Sequence, residues 1–146
     1  MQNWTTARRI GVATLVAGTL DILAAMGLTL FYGRPVDAML RYVASGPFPG
    51  ATGWGASGAI LGLAVHFALM AVMAAAFVLA ANRMPRLKAH PIPWGTIYGL
   101  VTYIEMNLIV VPLRFGIFPS TALGIGTQLA FHIVLVGIPI ALIARR

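Results

Sequence analysis

The chain contains four apolar stretches, each long enough to cross a lipid bilayer. A membrane-spanning helix needs about 20 predominantly apolar residues. The stretches do not alternate between polar and apolar residues, as the roughly ten-residue strands of a membrane barrel would. The pattern therefore predicts an all-α integral membrane protein, a bundle of four transmembrane helices over Ile10–Tyr32, Ser57–Ala81, Trp94–Leu113 and Thr121–Ala144.

The composition also favours the bilayer as the solvent. Hydrophobic residues make up 60% of the 146 residues and charged residues 9%, whereas a soluble domain has about 25% charged residues. The length predicts one transmembrane domain over residues 1–146. Because the chain has no cysteine, disulfides, thiolate metal sites and thiol catalysis are excluded.

The basic residues predict the orientation in the membrane. A net charge of +7 is compatible with nucleic-acid binding, but the cations are divided unequally between the two sides of a four-helix bundle, which instead indicates topology. The positive-inside rule places the richer side, and both termini, in the cytoplasm. We therefore expect no nucleic-acid partner, and only a secondary attraction to anionic lipid. The cytoplasmic cations are Arg8, Arg9, Arg83, Arg86, Lys88, Arg145 and Arg146, and the outer ones are Arg34, Arg41 and Arg114.

The N-terminal apolar stretch is interpreted as the first membrane helix rather than a signal peptide. It is too long for the apolar core of a signal peptide and contains Asp21. The outer loop, residues 33–56, opens with Val36–Ser45, where apolar residues at helical spacing oppose Asp37 and Arg41. This spacing predicts a short amphipathic helix on the membrane surface. This loop can act as a lid, offer a surface to a partner, or only pack over the mouth of the bundle, which is the commoner arrangement.

Several boundary residues are candidates for lipid or partner contacts. Tryptophan prefers the membrane interface. An arginine there either extends its charged end toward water while its stem stays in apolar surroundings, or binds an anionic group. The cytoplasmic loop, residues 82–93, is rich in basic residues and prolines. The candidate contact residues are Trp54, Arg34, Arg41 and Arg114.

Small residues and prolines predict how the helices pack. Gly58 and Gly62 form one G-x-x-x-G pattern, and Gly95 and Gly99 form another. Such patterns let helix backbones approach closely within a membrane. Pro112, near the end of the third helix, and Pro139, in the fourth, are expected to bend or end their helices.

Four ionisable residues interrupt the four apolar stretches, one in each. Ionisable groups within a bilayer are costly and rarely stay there without a partner or a task. At about 1.5 Å of rise per residue, all four fall in one thin slab near the middle of the membrane. With a nearby asparagine, they form the candidate midplane cluster, Asp21, His66, Glu105, Asn107 and His132.

This cluster is open to four readings. The residues can pair with one another as polar contacts between helices. Asp21, His66, Glu105 and His132 can form a metal site like those in the cores of carboxylate–histidine bundles. The two histidines can hold a b-type haem, or the acidic and histidine side chains can relay protons. No Glu-x-x-His, His-Glu-x-x-His or G-x-S-x-G motif is present.

Four segments of the chain form a recognisable pattern: residues 18–23, residues 62–67, Met106-Asn107-Leu108 followed by Pro112-Leu113, and His132 followed by residues 137–141. Together they resemble a group of small four-helix bacterial inner-membrane proteins to which no activity is assigned. The resemblance spans most of the chain and implies that Asp21, His66, Asn107, Pro112 and His132 belong to the shared pattern, whereas Glu105 departs from it.

We expect a non-enzymatic structural or accessory subunit of the bacterial cytoplasmic membrane. It would associate with itself or with a larger membrane complex. The alternative is a bundle that uses the midplane cluster to bind a metal ion or b-type haem, or to move protons or a small solute.

Overall fold

Four long helices dominate the computed structural model, which describes residues 4–146 and is 85% helical with no strand in that range. They are α1, Thr6–Phe31; α3, Gly55–Arg83; α5, Pro91–Phe115; and α6, Ala122–Ala144. Each is long and apolar enough to span a membrane. The expectation of an all-helical chain with four such helices is confirmed. Most of their ends lie a few residues beyond the predicted ones, because helical hydrogen bonding continues into polar residues that hydropathy excludes.

Two shorter helices lie between the long ones. The amphipathic helix α2, Val36–Ala44, follows α1 as predicted and ends one residue earlier than expected. A 3₁₀ turn, Pro49–Gly53, then leads into α3. The loop after α3 contains α4, Pro85–Ala89, which the sequence analysis did not anticipate.

The helices pack in a fixed spatial order. Helix α1 contacts both α3 and α6, and α5 packs chiefly against α6. Large side chains join α3 to α5, since the Tyr98 hydroxyl donates to the Met73 carbonyl at 2.7 Å and its ring lies 4.9 Å from that of Phe77. Arg9 near the start of α1 donates to the Ala144 carbonyl at the end of α6, so both chain ends lie at one end of the bundle, here called the terminal end.

Both G-x-x-x-G patterns mark close backbone approaches, but to different partners. Gly95 and Gly99 on α5 lie against the backbone of α6, where Gly137 provides the matching space. Gly62 on α3 instead lies beneath the Leu40 backbone. The first pattern therefore joins two long helices, whereas the second seats the amphipathic helix α2 on α3.

The two halves of the bundle differ in packing. The buried core occupies the half nearer the terminal end and consists mainly of Ala17, Ala74, Val78, Val136 and Ile140 with their neighbours. The opposite half, here called the α2 end, is open. It contains cavities of about 520, 350 and 270 Å³ between the helices and under α2.

A widened turn precedes each of the two prolines in the interior of the long helices. Ile104–Val110 in α5 and His132–Gly137 in α6 adopt π-helical hydrogen bonding, and Pro112 and Pro139 each lie two residues after such a segment. A proline has no N–H to donate and its ring clashes with the carbonyl four residues back. Widening the turn relieves this clash while the helix continues, so the prolines change the helical register without ending the helices.

Candidate midplane polar site

Three of the predicted cluster residues lie near the middle of the bundle, where the open half meets the packed core. Asp21 on α1, His66 on α3 and His132 on α6 each lie within three residues of their helix midpoint, on the side facing the α2 end. At 1.5 Å per residue this is within about 5 Å of the middle. The tightly packed core begins directly beyond them.

His66 is held by contacts from both of its ring nitrogens to α1. Its Nε2 lies 2.9 Å from the Gly18 carbonyl oxygen, and its Nδ1 lies 4.0 Å from Asp21 Oδ2. A carbonyl oxygen can only accept, so Nε2 must carry a proton and donate it. The Nδ1 position therefore faces the carboxyl group, at a separation longer than a hydrogen bond.

Gly18 makes this arrangement possible. A Cβ atom at position 18 would lie 2.7 Å from Cε1 of Phe67, closer than carbon atoms pack. The absent side chain lets α3 approach α1 until the His66 ring reaches the carbonyl. The side chains of His66 and Asp21 remain only 11% and 18% exposed. The sequence analysis did not identify this backbone acceptor, because residue type gives no signal for it.

His132 completes the cluster from α6. Its Nδ1 donates to the Gln128 carbonyl at 2.8 Å, which leaves Nε2 as the free ring nitrogen. The ring meets Tyr103 of α5 edge-on, with centroids 5.8 Å apart. His132 lies on α6 at nearly the same depth as Asp21 on α1, and these two helices pack against each other.

Glu105 does not join this cluster. It lies on the exposed surface of α5, two residues past the midpoint, whereas the following residue, Met106, packs against the core. The sequence analysis assigned Glu105 to the midplane cluster. The buried face of α5 instead runs through Gly99, Thr102 and Tyr103, and Met106 continues it at three- and four-residue spacing, whereas Glu105 falls beside it.

Asn107 is also separate from the histidines. Its amide donates to the Tyr103 carbonyl one turn back at 3.3 Å. It lines the cavity of about 270 Å³ between α5 and the start of α6 together with Gln128. The polar residues of this groove end one turn from His132.

The placement of the histidine and acidic side chains argues against a metal site and against a haem site. No group of three or more His, Asp or Glu side chains within residues 4–146 is placed to hold a metal ion. Haem iron is normally bound through Nε2, and in His66 that nitrogen already donates to Gly18. In this arrangement the residues therefore fit neither a metal ion nor a haem.

The predicted boundary residues take several roles. Trp54 is exposed beside Phe48, and Arg34 lines the cavity of about 520 Å³ next to α2. Arg41 pairs with Asp37 within α2, and this hydrogen bond lowers the pKa of the Asp37 carboxyl below its usual range. Arg114 donates to the carbonyls of Gly46 and Ser45, at the end of α2.

The chain has no significant match to a protein-family model, to a characterised protein or to a solved structure. The arguments for its function therefore come from its own residues.

Proposed function

We propose that the protein is a multi-pass integral protein of the bacterial cytoplasmic membrane that acts as a non-enzymatic subunit of a membrane assembly, formed with further copies of itself or with a larger complex. One observation carries this proposal: the Glu105 carboxyl group lies on the exposed surface of a membrane-length helix, near its middle.

Insertion and orientation are supported by composition and charge. Four helices meet the length and hydropathy needed for a membrane span, and much of their surface is apolar and exposed. The terminal end carries seven cations and the α2 end three. By the positive-inside rule, this asymmetry favours a cytoplasmic location for both termini.

The position of Glu105 favours a partner. An acidic side chain at the centre of a span costs about 3 kcal/mol when it faces lipid. Exposed apolar side chains surround it on α5, including Val101, Ile104 and Leu108. A second membrane helix laid on this face would cover the carboxyl group and offer it a hydrogen-bond donor.

Cysteine cross-linking in membranes tests the proposal. Because the chain has no native cysteine, any disulfide between copies must involve the introduced residue. Val101 lies one turn before Glu105 and is 49% exposed. We expect Val101→Cys to form a disulfide-linked dimer on oxidation if the partner is a second copy. Val72→Cys is the matched control, because Val72 is 67% exposed but belongs to α3.

The native mass of the purified protein, measured by light scattering in mild detergent, distinguishes the remaining outcomes. A larger complex predicts no Val101→Cys dimer but a defined assembly that dissociates in the Glu105→Leu variant. A monomer that forms no cross-link and is indifferent to Glu105→Leu would contradict the proposal.

Proton binding by the midplane pair is a second candidate function, favoured by the geometry of His66. The Gly18 carbonyl occupies one ring nitrogen and the Asp21 carboxyl faces the other. The titratable groups of this region are Asp21, His66 and His132, with Tyr103 at the edge of the His132 ring. A proton can reach the pair of Asp21 and His66 through the partly exposed carboxyl group.

Nitrogen NMR of labelled histidine tests this second candidate. We expect neutral His66 to carry its proton on Nε2, and Asp21→Asn to change the chemical shift of His66 Nδ1, which faces the carboxyl group. His90→Gln is the control, because His90 lies after α4, outside the cluster. An Nδ1-protonated His66, or an Nδ1 chemical shift indifferent to Asp21→Asn, would contradict this second candidate.

A further inference from the structure

A group of polar and basic side chains connects three helices at the terminal end. The Thr6 hydroxyl of α1 accepts hydrogen bonds from Arg9 at 3.4 Å and from Asn82 of α3 at 3.1 Å. The Lys88 ammonium of α4 donates to Asn82 Oδ1 at 3.0 Å. These contacts hold two cations, Arg9 and Lys88, near each other.

Arg9 is unusual because its guanidinium is buried with a donor unused. The residue is only 8% exposed. Its Nη1 donates to the Ala144 carbonyl at 3.1 Å, whereas its Nε is buried without a hydrogen-bond partner among residues 4–146. A carbonyl at a helix end supplies only a fraction of a negative charge. The cation is therefore incompletely neutralised within the chain.

No acidic side chain balances this end of the molecule. The chain has three acidic residues, Asp21, Asp37 and Glu105, and none of them lies at the terminal end. Burial, followed by repulsion from Arg9, lowers the pKa of Lys88. Proteins rarely hold two cations together in a partly buried position unless an anion accompanies them.

We propose that Arg9 and Lys88, with Thr6 and Asn82, bind the phosphate of an anionic phospholipid. Lys88 is partly exposed and contacts the phosphate, while the buried Arg9 behind it supplies positive charge. Arg9 is the fourth residue of α1 and Ala144 the last of α6, so the site lies at headgroup depth. This assignment rests on the membrane insertion proposed above, and basic pockets at helix ends are a known means of binding lipid headgroups.

The test is thermal unfolding of the full chain in mild detergent, with phosphatidylglycerol, phosphatidylcholine or inorganic phosphate added. A ligand that binds only the folded state raises Tm as its concentration rises. We expect a saturable rise of several degrees with phosphatidylglycerol and little change with the other two. An equal rise with inorganic phosphate would assign the site to a soluble anion, and an equal rise with phosphatidylcholine would remove the need for a negative lipid. Either result overturns the proposal.

Matched variants separate a specific site from general attraction. Lys88→Gln should lose most of the phosphatidylglycerol effect, and Lys88→Arg should restore part of it. Arg86→Gln removes the same charge from an exposed position on the same short helix and should keep the effect. Equal losses in Lys88→Gln and Arg86→Gln would overturn the site. Sedimentation of each variant with alkali-washed membranes reports insertion independently, so a failure to insert is distinguishable from a failure to bind lipid.

Discussion

At the scale of single residues, the environment of His66 bears on whether the midplane cluster does more than join helices. Polar contacts that only join helices require a donor and an acceptor, which many residue pairs provide. His66 does more, because the Gly18 carbonyl fixes which nitrogen is protonated and the other nitrogen faces an acid. An amide side chain can replace the hydrogen bond but cannot take up the proton.

A double-mutant cycle on Asp21 and His66 measures how strongly the two side chains depend on each other. Either His66→Gln or Asp21→Asn alone should lower the free energy of unfolding by about 1–2 kcal/mol. The double variant should cost less than the sum, because each single change leaves a buried polar partner behind. Unfolding in a denaturing detergent provides the measurement. Strict additivity would show that the side chains, although 4.0 Å apart, act independently.

The ion pair within α2 gives a pH prediction with a definite sign. Arg41 holds the folded-state pKa of Asp37 below its unfolded value of about 3.9. The stabilising contribution is therefore complete above that unfolded value and is lost as the pH falls through the lower folded-state pKa. Carbon NMR of the Asp37 carboxyl should show its pKa rising in Arg41→Gln. Arg34→Gln, which removes a neighbouring outer-side charge, should leave it nearly unchanged, and the same rise in both variants would assign the effect to general charge.

Glu105 and Met106 show where residue-level prediction from sequence fails. Hydropathy gives the depth of Glu105 in its span but not the side of the helix that faces the bundle. That side runs through Gly99, Tyr103 and Met106, and its position depends on the neighbouring helix. The face of His66 is clearer, because Gly62 and Met70, one turn away on either side, are also buried.

At the scale of elements, α2 is attached to the bundle at two points. Leu40 sits over Gly62 of α3, and Arg114 of α5 donates to Gly46 and Ser45 at 2.6 and 2.8 Å. The positive guanidinium meets the carbonyl end of a helix, the favourable orientation for a helix dipole. The segment that contains α2 thus forms a strap across the open half, between α3 and α5.

Arg114→Ala should loosen this strap while leaving the long helices in place. Losing both hydrogen bonds should increase amide exchange in α2 by roughly tenfold, equivalent to about 1.4 kcal/mol of local stability. Hydrogen exchange with mass spectrometry resolves the segment Val36–Ala44 from α3. Arg34→Ala is the control, and unchanged exchange in Arg114→Ala would mean that the contact at Gly62 alone secures α2.

The contact between α5 and α6 depends on glycine at a position where backbone faces backbone. A Cβ at Gly99 would lie 2.5 Å from the His132 carbonyl oxygen and from Ile133 Cα, and neither atom can move without separating the helices. Gly99→Ala should cost about 2–3 kcal/mol of stability. Gly126→Ala, where nothing lies within 4 Å, should be neutral or stabilising by up to about 1 kcal/mol. Similar unfolding free energies for the two variants would contradict this interface.

At the scale of the whole molecule, hydropathy predicts the architecture because each span is long and continuously apolar. The residues of α2 reveal an amphipathic helix by their spacing, and Gly95 and Gly99 reveal a close contact. The partners of those contacts are less accessible to sequence reasoning. The pattern of Gly58 and Gly62 does not show whether the element packed against them is a long helix or the short helix α2. The sequence also does not show that one half of the bundle is open. Such features depend on distances between segments far apart in the chain.

The orientation of the bundle can be measured with single cysteines, since the chain has none of its own. Ser120, before α6, lies at the α2 end, whereas Ala89, the last residue of α4, lies at the terminal end, and both are exposed. The split of seven cations against three should hold the terminal end in the cytoplasm, because positively charged segments resist translocation. A membrane-impermeant thiol reagent added to intact cells with a permeable outer envelope should label Ser120→Cys. It should label Ala89→Cys only after the membrane is opened. The reverse pattern would place the terminal end outside, and labelling of both residues before opening would show that the chain does not keep one orientation.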